Sequence, residues 1–337
     1  VLIVYDDLCG GHLRGIPHPE SPDRVEVAAA FLRENGLLNE PLSARDASDE
    51  EIERVHSPGY VALVRDEIAR MRGHAGYLST GDTVVDERSL DAARRAAGGA
   101  IVAAQTAMDR GTAAFAIVRP PGHHAESTRG MGFCVFNNAA IAARAVQAET
   151  GARALIVDFD YHHGNGTQAV SGAGLSYVST HAYPAYPGTG SADENYALDG
   201  GDAIVNIPLP PHRFGTEAFV AVWQQLLPEI TRRIGPDMLI VSAGFDYAAG
   251  DPVGDLGVDI SAASDLAALI RDTAGDYCNG RVAYVLEGGY DTTTLSRSIA
   301  QIIAAHDCDR PQTAASASSI PDAQARILTR SRTVLWY

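Results

Sequence analysis

Seven short apolar runs recur along the chain: Val1–Tyr5, Ala114–Val118, Leu155–Phe159, Leu175–Ser179, Ala203–Ile207, Met238–Val241 and Val282–Leu286. They show no polar alternation, as expected of strands covered on both faces in a mainly parallel sheet. Between many of them the apolar period changes to three and four. In Ser89–Arg110 the residues Leu90, Ala93, Ala97, Ile101, Ala104 and Met108 form a helical stripe, and Arg24–Asn35, Ala139–Glu149, Thr216–Ile234, Ala262–Cys278 and Leu295–His306 show similar patterns. Strand-helix alternation of this kind predicts a doubly wound α/β domain, a central mainly parallel β-sheet flanked by helices on both faces. A stretch rich in Ala, Ser and Pro near the end predicts three parts: a catalytic domain over 1–308, a linker over 309–320 and a C-terminal appendage over 321–337.

Composition narrows the function. The 337 residues are 46% hydrophobic, enough for a large core. No apolar run approaches the roughly 18–20 residues of a membrane span. The opening Val1-Leu-Ile-Val-Tyr-Asp-Asp reads as a first strand, too short and acidic for a signal peptide, and the missing Met suggests a trimmed start. Cys9, Cys134, Cys278 and Cys308 lie far apart without CxxC spacing, so a reduced, cytoplasmic location is expected. Against 26 basic residues stand 42 acidic ones, a net charge of −16. That field argues against nucleic-acid binding and mildly favours cationic substrates, although solubility alone accounts for such a charge more often.

In open α/β sheets ligands bind beyond the carboxyl ends of the strands. The residues just past each strand are therefore informative. Val118 leads into Arg119-Pro-Pro-Gly-His123-His124, and Phe159 into Asp160-Tyr-His162. Val241 leads into Ser242-Ala-Gly-Phe-Asp246, and Leu286 into Glu287-Gly-Gly-Tyr290. Taken singly, an Asp after a strand is usually a cap or turn former, and a Tyr is usually core. Together they place three imidazoles, two carboxylates and a phenol at one sheet edge.

Carboxylates and imidazoles are costly to bury unless paired or holding a metal. At period two, Asp160 and His162 would project to the same side, with Asp246 supplying a third ligand from another strand. Two oxygens and one nitrogen leave a coordination position for water, the arrangement of catalytic rather than structural zinc, and the set also suits Fe(II) or Co(II). Gly164 and Gly166 read as tight turns and His163 as a second-layer or core histidine. Phosphate-loop and G-x-S-x-G patterns are absent from the sequence.

The runs "RPPGHHA", "GMGFCVFNNAAIAAR", "VDFDYHHGNGTQ", "VSAGFD…GDP" and "LEGGYD" resemble the zinc-dependent histone deacetylase family, nearest its second class and the bacterial deacetylase-like amidohydrolases, over about Val1 to His306. The resemblance implies the arginase/deacetylase fold and one catalytic zinc on Asp160, His162 and Asp246. It implies His124 as general base and then acid, His123 as orienting and charge-stabilising, Asp158 and Asn165 as their respective partners, and Tyr290 as donor to the substrate carbonyl. It implies tunnel walls at Phe133 and Tyr186, with Gly132, Gly289 and Val253 also against substrate, and Arg24 near an inner product channel. It further implies a monovalent cation, potassium or sodium, on the Asp158 side chain and Ser179, with carbonyls of Asp160, His162 and Thr180.

The expected reaction is water attack on a secondary amide of an acetyl-lysine-like peptide or small molecule, in a protein compatible with a homo-oligomer. Three other readings compete with it. An acetylpolyamine amidohydrolase would suit the acidic charge, and Asp82, Asp251 and Asp255 in mouth-forming loops could draw a cation. A weak acyl-ligand binding module is disfavoured by the intact Tyr290. A binuclear manganese ureohydrolase would need more carboxylates than the motif offers.

Overall fold

The computed structural model describes residues 1–212, 214–307, 321–322 and 324–329. In chain order its elements are β1 (Leu2–Tyr5), α1 (Asp23–Glu34), α2 (Asp49–Glu53), α3 (Pro58–Ile68), β2 (Gly76–Tyr77), β3 (Val84–Val85), α4 (Ser89–Arg110) and β4 (Ala113–Ile117). Next come α5 (Asn138–Thr150), β5 (Ala154–Asp158), α6 (Asn165–Ala169), β6 (Leu175–Ala182), β7 (Tyr196–Ala197) and β8 (Ala203–Leu209). The last are α7 (Thr216–Ile234), β9 (Met238–Ala243), α8 (Ala262–Tyr277), β10 (Val282–Leu286) and α9 (Thr292–Asp307). Eight strands form one sheet in the order β1-β4-β10-β9-β5-β6-β8-β7, parallel except for the antiparallel edge pair β7–β8. The seven sequence-predicted strands are its seven parallel members.

Alternate residues of each parallel strand enter different cores. Leu155 and Val157 of β5 pack with α1, α7, α8 and α9, while Ile156 points to the opposite face, where α2, α3, α4 and α5 lie. Burying each such aliphatic side chain stabilises the fold by about 1.5–3 kcal/mol. Helix ends obey local chemistry. Asn137 Oδ1 accepts from the Ala140 amide to start α5, and Gly151, at φ 75°, ends it in the left-handed region. On α4 the burial is broader than the predicted stripe. Ala92, Ala96, Gly98, Gly99, Ala100 and Ala103 are buried too, because this helix of small residues packs at close range on both the sheet and α5.

Helices α2, α3 and α6 and the three two-residue strands are not foreseen by the sequence pattern. Cys308 and the predicted linker lie outside the described residues. Of the predicted appendage, residues 324–329 are helical, with Leu328 buried in the core beneath α7–α9 and Gln324 donating to the Pro208 carbonyl. Among the described residues no helix is long and apolar enough to cross a membrane.

His56 ties α5 to the loop that precedes it. Its Nδ1–H donates to the Glu126 carbonyl (2.9 Å) while Nε2 accepts the Asn137 amide (2.9 Å). The ring is neutral in this arrangement. Burial pushes it down to about 4, against a smaller upward pull from the Glu126 carbonyl. Between pH 6.5 and 4 the unfolded chain therefore binds the proton that the folded chain refuses, so stability present above pH 6.5 is lost as pH falls, by up to about 3 kcal/mol from this ring. Urea unfolding measured from pH 7 to pH 4 should show that loss, with a slope shallower by about one proton in His56→Gln. An unchanged slope in the variant would remove His56 from the account.

Candidate active site

Strands β4, β10, β9 and β5 are adjacent in the sheet although the chain visits them far apart, and their carboxyl ends deliver the predicted chemistry to one place. Asp160, His162 and Asp246 each offer a ligand atom within 4.8 Å of the others. His162 Nδ1 lies 3.1 Å from Asp160 Oδ1 and 3.0 Å from Asp246 Oδ2. A tetrahedral ion with bonds of roughly 2.0–2.1 Å has ligand edges of about 3.3 Å, close to these separations. The remaining carboxylate oxygens are fixed by backbone amides: Gly288 N–H on Asp160 Oδ2 (2.8 Å) and Tyr161 N–H on Asp246 Oδ1 (2.9 Å). Asp246 Oδ2 is buried and accepts no hydrogen bond. A wholly buried carboxylate oxygen aimed at two other donors is costly unless a cation meets it. The donor set fits one divalent ion.

The two histidines after β4 pack with ring centroids 4.1 Å apart, tilted by 45°. His123 Nδ1–H donates to Asp158 Oδ2 (3.1 Å), and its Nε2 is 3.8 Å from Asp160 Oδ1. Burial alone would lower this imidazole, but Asp160 and Asp158 outweigh it and hold it up at about 10. His124 moves the other way: burial, then the neighbouring His123 and His162, keep it well below its ordinary value. Its Nδ1–H donates to Asn165 Oδ1 (2.9 Å), which leaves Nε2 as the basic nitrogen. Asn165 is itself oriented, because its Nδ2 donates to Glu126 Oε1 (2.7 Å). Tyr177 O–H donates to Asp158 Oδ2 (3.0 Å), behind His123.

Tyr290 comes from the loop after β10. Burial raises its hydroxyl well above 10, so it is a donor. Its amide donates to Asp251 Oδ2 (2.6 Å), and the Arg24 guanidinium sits 4.8 Å over its ring. Arg24 also donates to Gly289 O (2.6 Å), to Glu287 O and to Glu20 Oε1 (3.0 Å). Phe133 packs edge-on against Tyr290 (5.9 Å) and His18 (4.7 Å), whereas Tyr186 packs against His124 (5.1 Å) and His162 (6.2 Å). Phe133 thus sits with Tyr290, and Tyr186 with the histidines. Phe133 holds φ 68° and Gly132 φ 57°, and a Cβ on Gly132 would fall on the His124 ring. That position requires glycine on both counts. Val253, half-buried, donates its amide to Asp251 Oδ1 (2.9 Å). Asp158 and Ser179 are partners in the β5–β6 register, with Thr180 next along β6.

Three expectations need correction. Strand β5 ends at Asp158, so Asp160 and His162 meet through a bend and not through strand periodicity; the His162 amide donating to Asp160 Oδ1 (2.8 Å) holds that bend. Gly164 and Gly166 have no positive φ; a Cβ at Gly164 would meet Asp158 and Tyr177, and one at Gly166 the Ala125 carbonyl. They are small because neighbours approach. Asp251 is not a free acid at the mouth, since both its oxygens accept backbone amides. Gly289 gives its carbonyl to Arg24, at φ 111°. His163 is a buried second-layer residue as expected, bonded to Thr189 and Gln168. Sequence reasoning misses Glu126, Tyr177 and Glu287, though Glu126 stands just beyond the paired histidines and Glu287 just after a strand.

Fold and site together define an α/β protein with, among the described residues, one candidate mixed oxygen–nitrogen cation centre at the carboxyl edge of its sheet. Residues 18–306 match the family described as "Histone deacetylase domain". Histone deacetylase 15 of Arabidopsis thaliana is 38% identical over 299 residues, covering 85% of this chain and 52% of that protein. A probable deacetylase of Archaeoglobus fulgidus is 34% identical over 295 residues, covering 86% and 80%. The polyamine deacetylase HDAC10 of Homo sapiens is 36% identical over 298 residues, covering 84% and 44%. The crystal structure of the HDA15 HD domain superposes with a TM-score of 0.85 at 33% identity, covering 99% of this chain and 95% of that one. This chain belongs to the histone deacetylase family, and it spans about half the length of the first of these relatives.

Asp246→Ala removes the carboxylate whose Oδ2 accepts no hydrogen bond. Calorimetric titration with zinc should show one tight site in the parent chain and an affinity weaker by at least about 100-fold in the variant. Retained stoichiometric binding would place the ion elsewhere.

Proposed function

We propose that the chain is a zinc-dependent amidohydrolase that removes acetyl groups from N-acetylated amines of the acetyl-lysine type. The observation that carries the reading is His124, whose Nε2 is left basic by the Asn165 contact and whose ring lies beside His162 in the cation cluster. A divalent ion held by Asp160, His162 and Asp246 would supply Lewis acidity towards the amide carbonyl and the attacking water. His124 takes the proton of that water as its oxygen bonds to the carbonyl carbon. It returns the proton to the amine nitrogen as the C–N bond breaks, giving acetate and free amine. His123, paired with Asp158, contributes positive charge beside the developing oxyanion. Tyr290 donates its hydroxyl to the same oxygen. Phe133 and Tyr186 hold the apolar stem of the substrate between their rings.

A monovalent cation, potassium or sodium, is part of this reading. Asp158 and Ser179 as strand neighbours support it, as does the buried Thr180 Oγ1 that lacks a hydrogen bond. Asp158 would then support His123 and the cation at once. A cytoplasmic, reducing location also belongs here, supported by the buried free thiols of Cys9, Cys134 and Cys278.

Acetylpolyamine hydrolysis is the second reading, favoured by the −16 net charge and by the relative named a polyamine deacetylase. Against it, the mouth acids are already engaged. Asp82 accepts from Gly132 N–H and Tyr186 O–H, and Asp255 from the Gly250 and Gly257 amides. Val253 offers only apolar contact.

Turnover of matched acetyl-lysine peptides and acetylpolyamines, with metal content measured on the same sample, tests the choice. The peptides should be the better substrates, and kcat/KM about tenfold higher for the polyamines would reverse the assignment. Val253→Glu should improve acetylpolyamine kcat/KM by about 1–2 kcal/mol, the scale of a partly screened charge pair. Tyr290→Phe should keep the fold and metal while kcat drops by roughly two orders of magnitude. A change confined to KM would reduce Tyr290 to a binding contact.

A further inference from the structure

Glu287 comes directly after β10 and is completely buried, yet the proposed proton transfers do not use it. Its Oε2 accepts two consecutive backbone amides of the turn that carries the histidines, Gly122 N–H at 2.6 Å and His123 N–H at 3.1 Å. Its Oε1 accepts the Ser242 hydroxyl of β9 at 3.2 Å. Among the described residues no guanidinium or ammonium pairs with this carboxylate; Arg24 bonds only to the Glu287 backbone carbonyl. The carboxyl is pushed up to about 7 by burial, with the positive His123 acting against that rise. A buried carboxylate held by neutral donors is destabilising in itself. Joining strands does not require one, because neighbouring backbone groups already join β10 to β9 and β4.

The turn is held from other sides as well: the Ala125 amide donates to the Gly122 carbonyl (3.0 Å), the Thr167 amide to the His123 carbonyl (3.1 Å), and Arg119 at its start is paired with Glu20. Asn138 Nδ2 donates to the Pro120 carbonyl (3.0 Å), and the Gly122 α-carbon is wedged so tightly against the start of α5 that a Cβ would meet the Asn138 amide and the Phe136 carbonyl. The far side of the same peptide units faces Glu287. The turn is thus clamped between the first residue of α5 and a carboxylate delivered by the neighbouring strand.

We propose that Glu287 is a positioning residue: it grips the Gly122 and His123 amides and so fixes the two histidines relative to Tyr290, three residues further along the same loop. This deepens the amidohydrolase reading and rests on it for its kinetic consequence. One side chain sets the spacing between the proton-transferring imidazole and the phenol that donates to the carbonyl oxygen. The shared register matters because misplacement of a catalytic group by about 1 Å costs on the order of 100-fold in rate.

Two variants separate positioning from mere structural support. Glu287→Gln keeps an oxygen that accepts the amides, and Glu287→Ala keeps none. Rates are taken per metal-loaded site with an acetyl-lysine peptide, and the Gly122 and His123 amide proton shifts are recorded by NMR in the same preparations. Expected are a kcat fall of roughly 100-fold in Glu287→Ala with KM within about twofold, partial recovery in Glu287→Gln, and both amide protons moving upfield in Glu287→Ala. Variants whose kcat per loaded site stays within about twofold of the parent would overturn the proposal, as would amide shifts that do not move. A parent chain that turns over no acyl amide, but whose two amide protons still shift in Glu287→Ala, would strike the functional reading and leave the grip on the turn in place. If Glu287→Ala does not fold, Glu287→Gln alone decides: its kcat must fall by about threefold or more at unchanged KM and unchanged metal content.

Discussion

Concentrated negative charge at the edge of a sealed sheet is the constraint around which this molecule is arranged. Asp158, Asp160, Asp246 and Glu287 are all fully buried at the ends of adjacent strands. Water cannot solvate them, so every neighbouring donor is recruited. Backbone amides of Asp160, Tyr161, His162 and Gly288 turn inward, Tyr177 gives its hydroxyl, and His123 gives its ring. The glycines around the site arise from the same crowding. At Gly164, Gly244 and Gly288 a Cβ would meet Asp158, Asp160 or Asp246 directly. The chain places small residues there so that carboxylates and backbone can touch.

A second ionic layer lies behind the first. Glu20 takes a two-pronged contact from Arg119 (2.8 and 2.7 Å) and a third bond from Arg24. Burial would raise this carboxyl, but Arg119 and its companions hold it down at about 2. Arg119 begins the turn that carries His123 and His124, and Arg24 covers Tyr290. The rigidity of both therefore passes through one buried acid. Pairing of this quality is what keeps such charges tolerable without solvent.

Most of the sheet was legible because parallel strands covered on both faces leave continuous apolar runs, and the long helices leave three-and-four spacing. The edge strand β7 was not, since Tyr196 and Ala197 are exposed and too few to form a pattern. Helix α2 carries its own start signal in sequence, since Ser48 and Glu51 form a reciprocal cap. In the site, the pairings that the family resemblance implies were readable, including Asp158 behind His123 and Asn165 behind His124, each across two motifs. Other contacts joining distant segments were not. Nothing in the surroundings of Glu287 names Gly122, 165 residues earlier, as its partner. Composition could not foresee that Asp251 would be consumed by amides, because an acid in a loop looks the same whether it faces solvent or backbone.

The place of β10 between β4 and β9 has a consequence for how the molecule comes into being. Synthesis lays down the histidine turn early and Asp246 late, but the strand that joins their two halves of the sheet comes last of all. Until it arrives, β4 and β9 each present an open edge, the kind of surface that invites pairing with another chain. The amide of Gly288 that steadies Asp160, the carboxylate of Glu287 and the hydroxyl of Tyr290 all enter with that one wedge. A growing chain therefore cannot bring the histidine turn of β4 into register with the carboxylates of β5 and β9 until almost the entire domain is made.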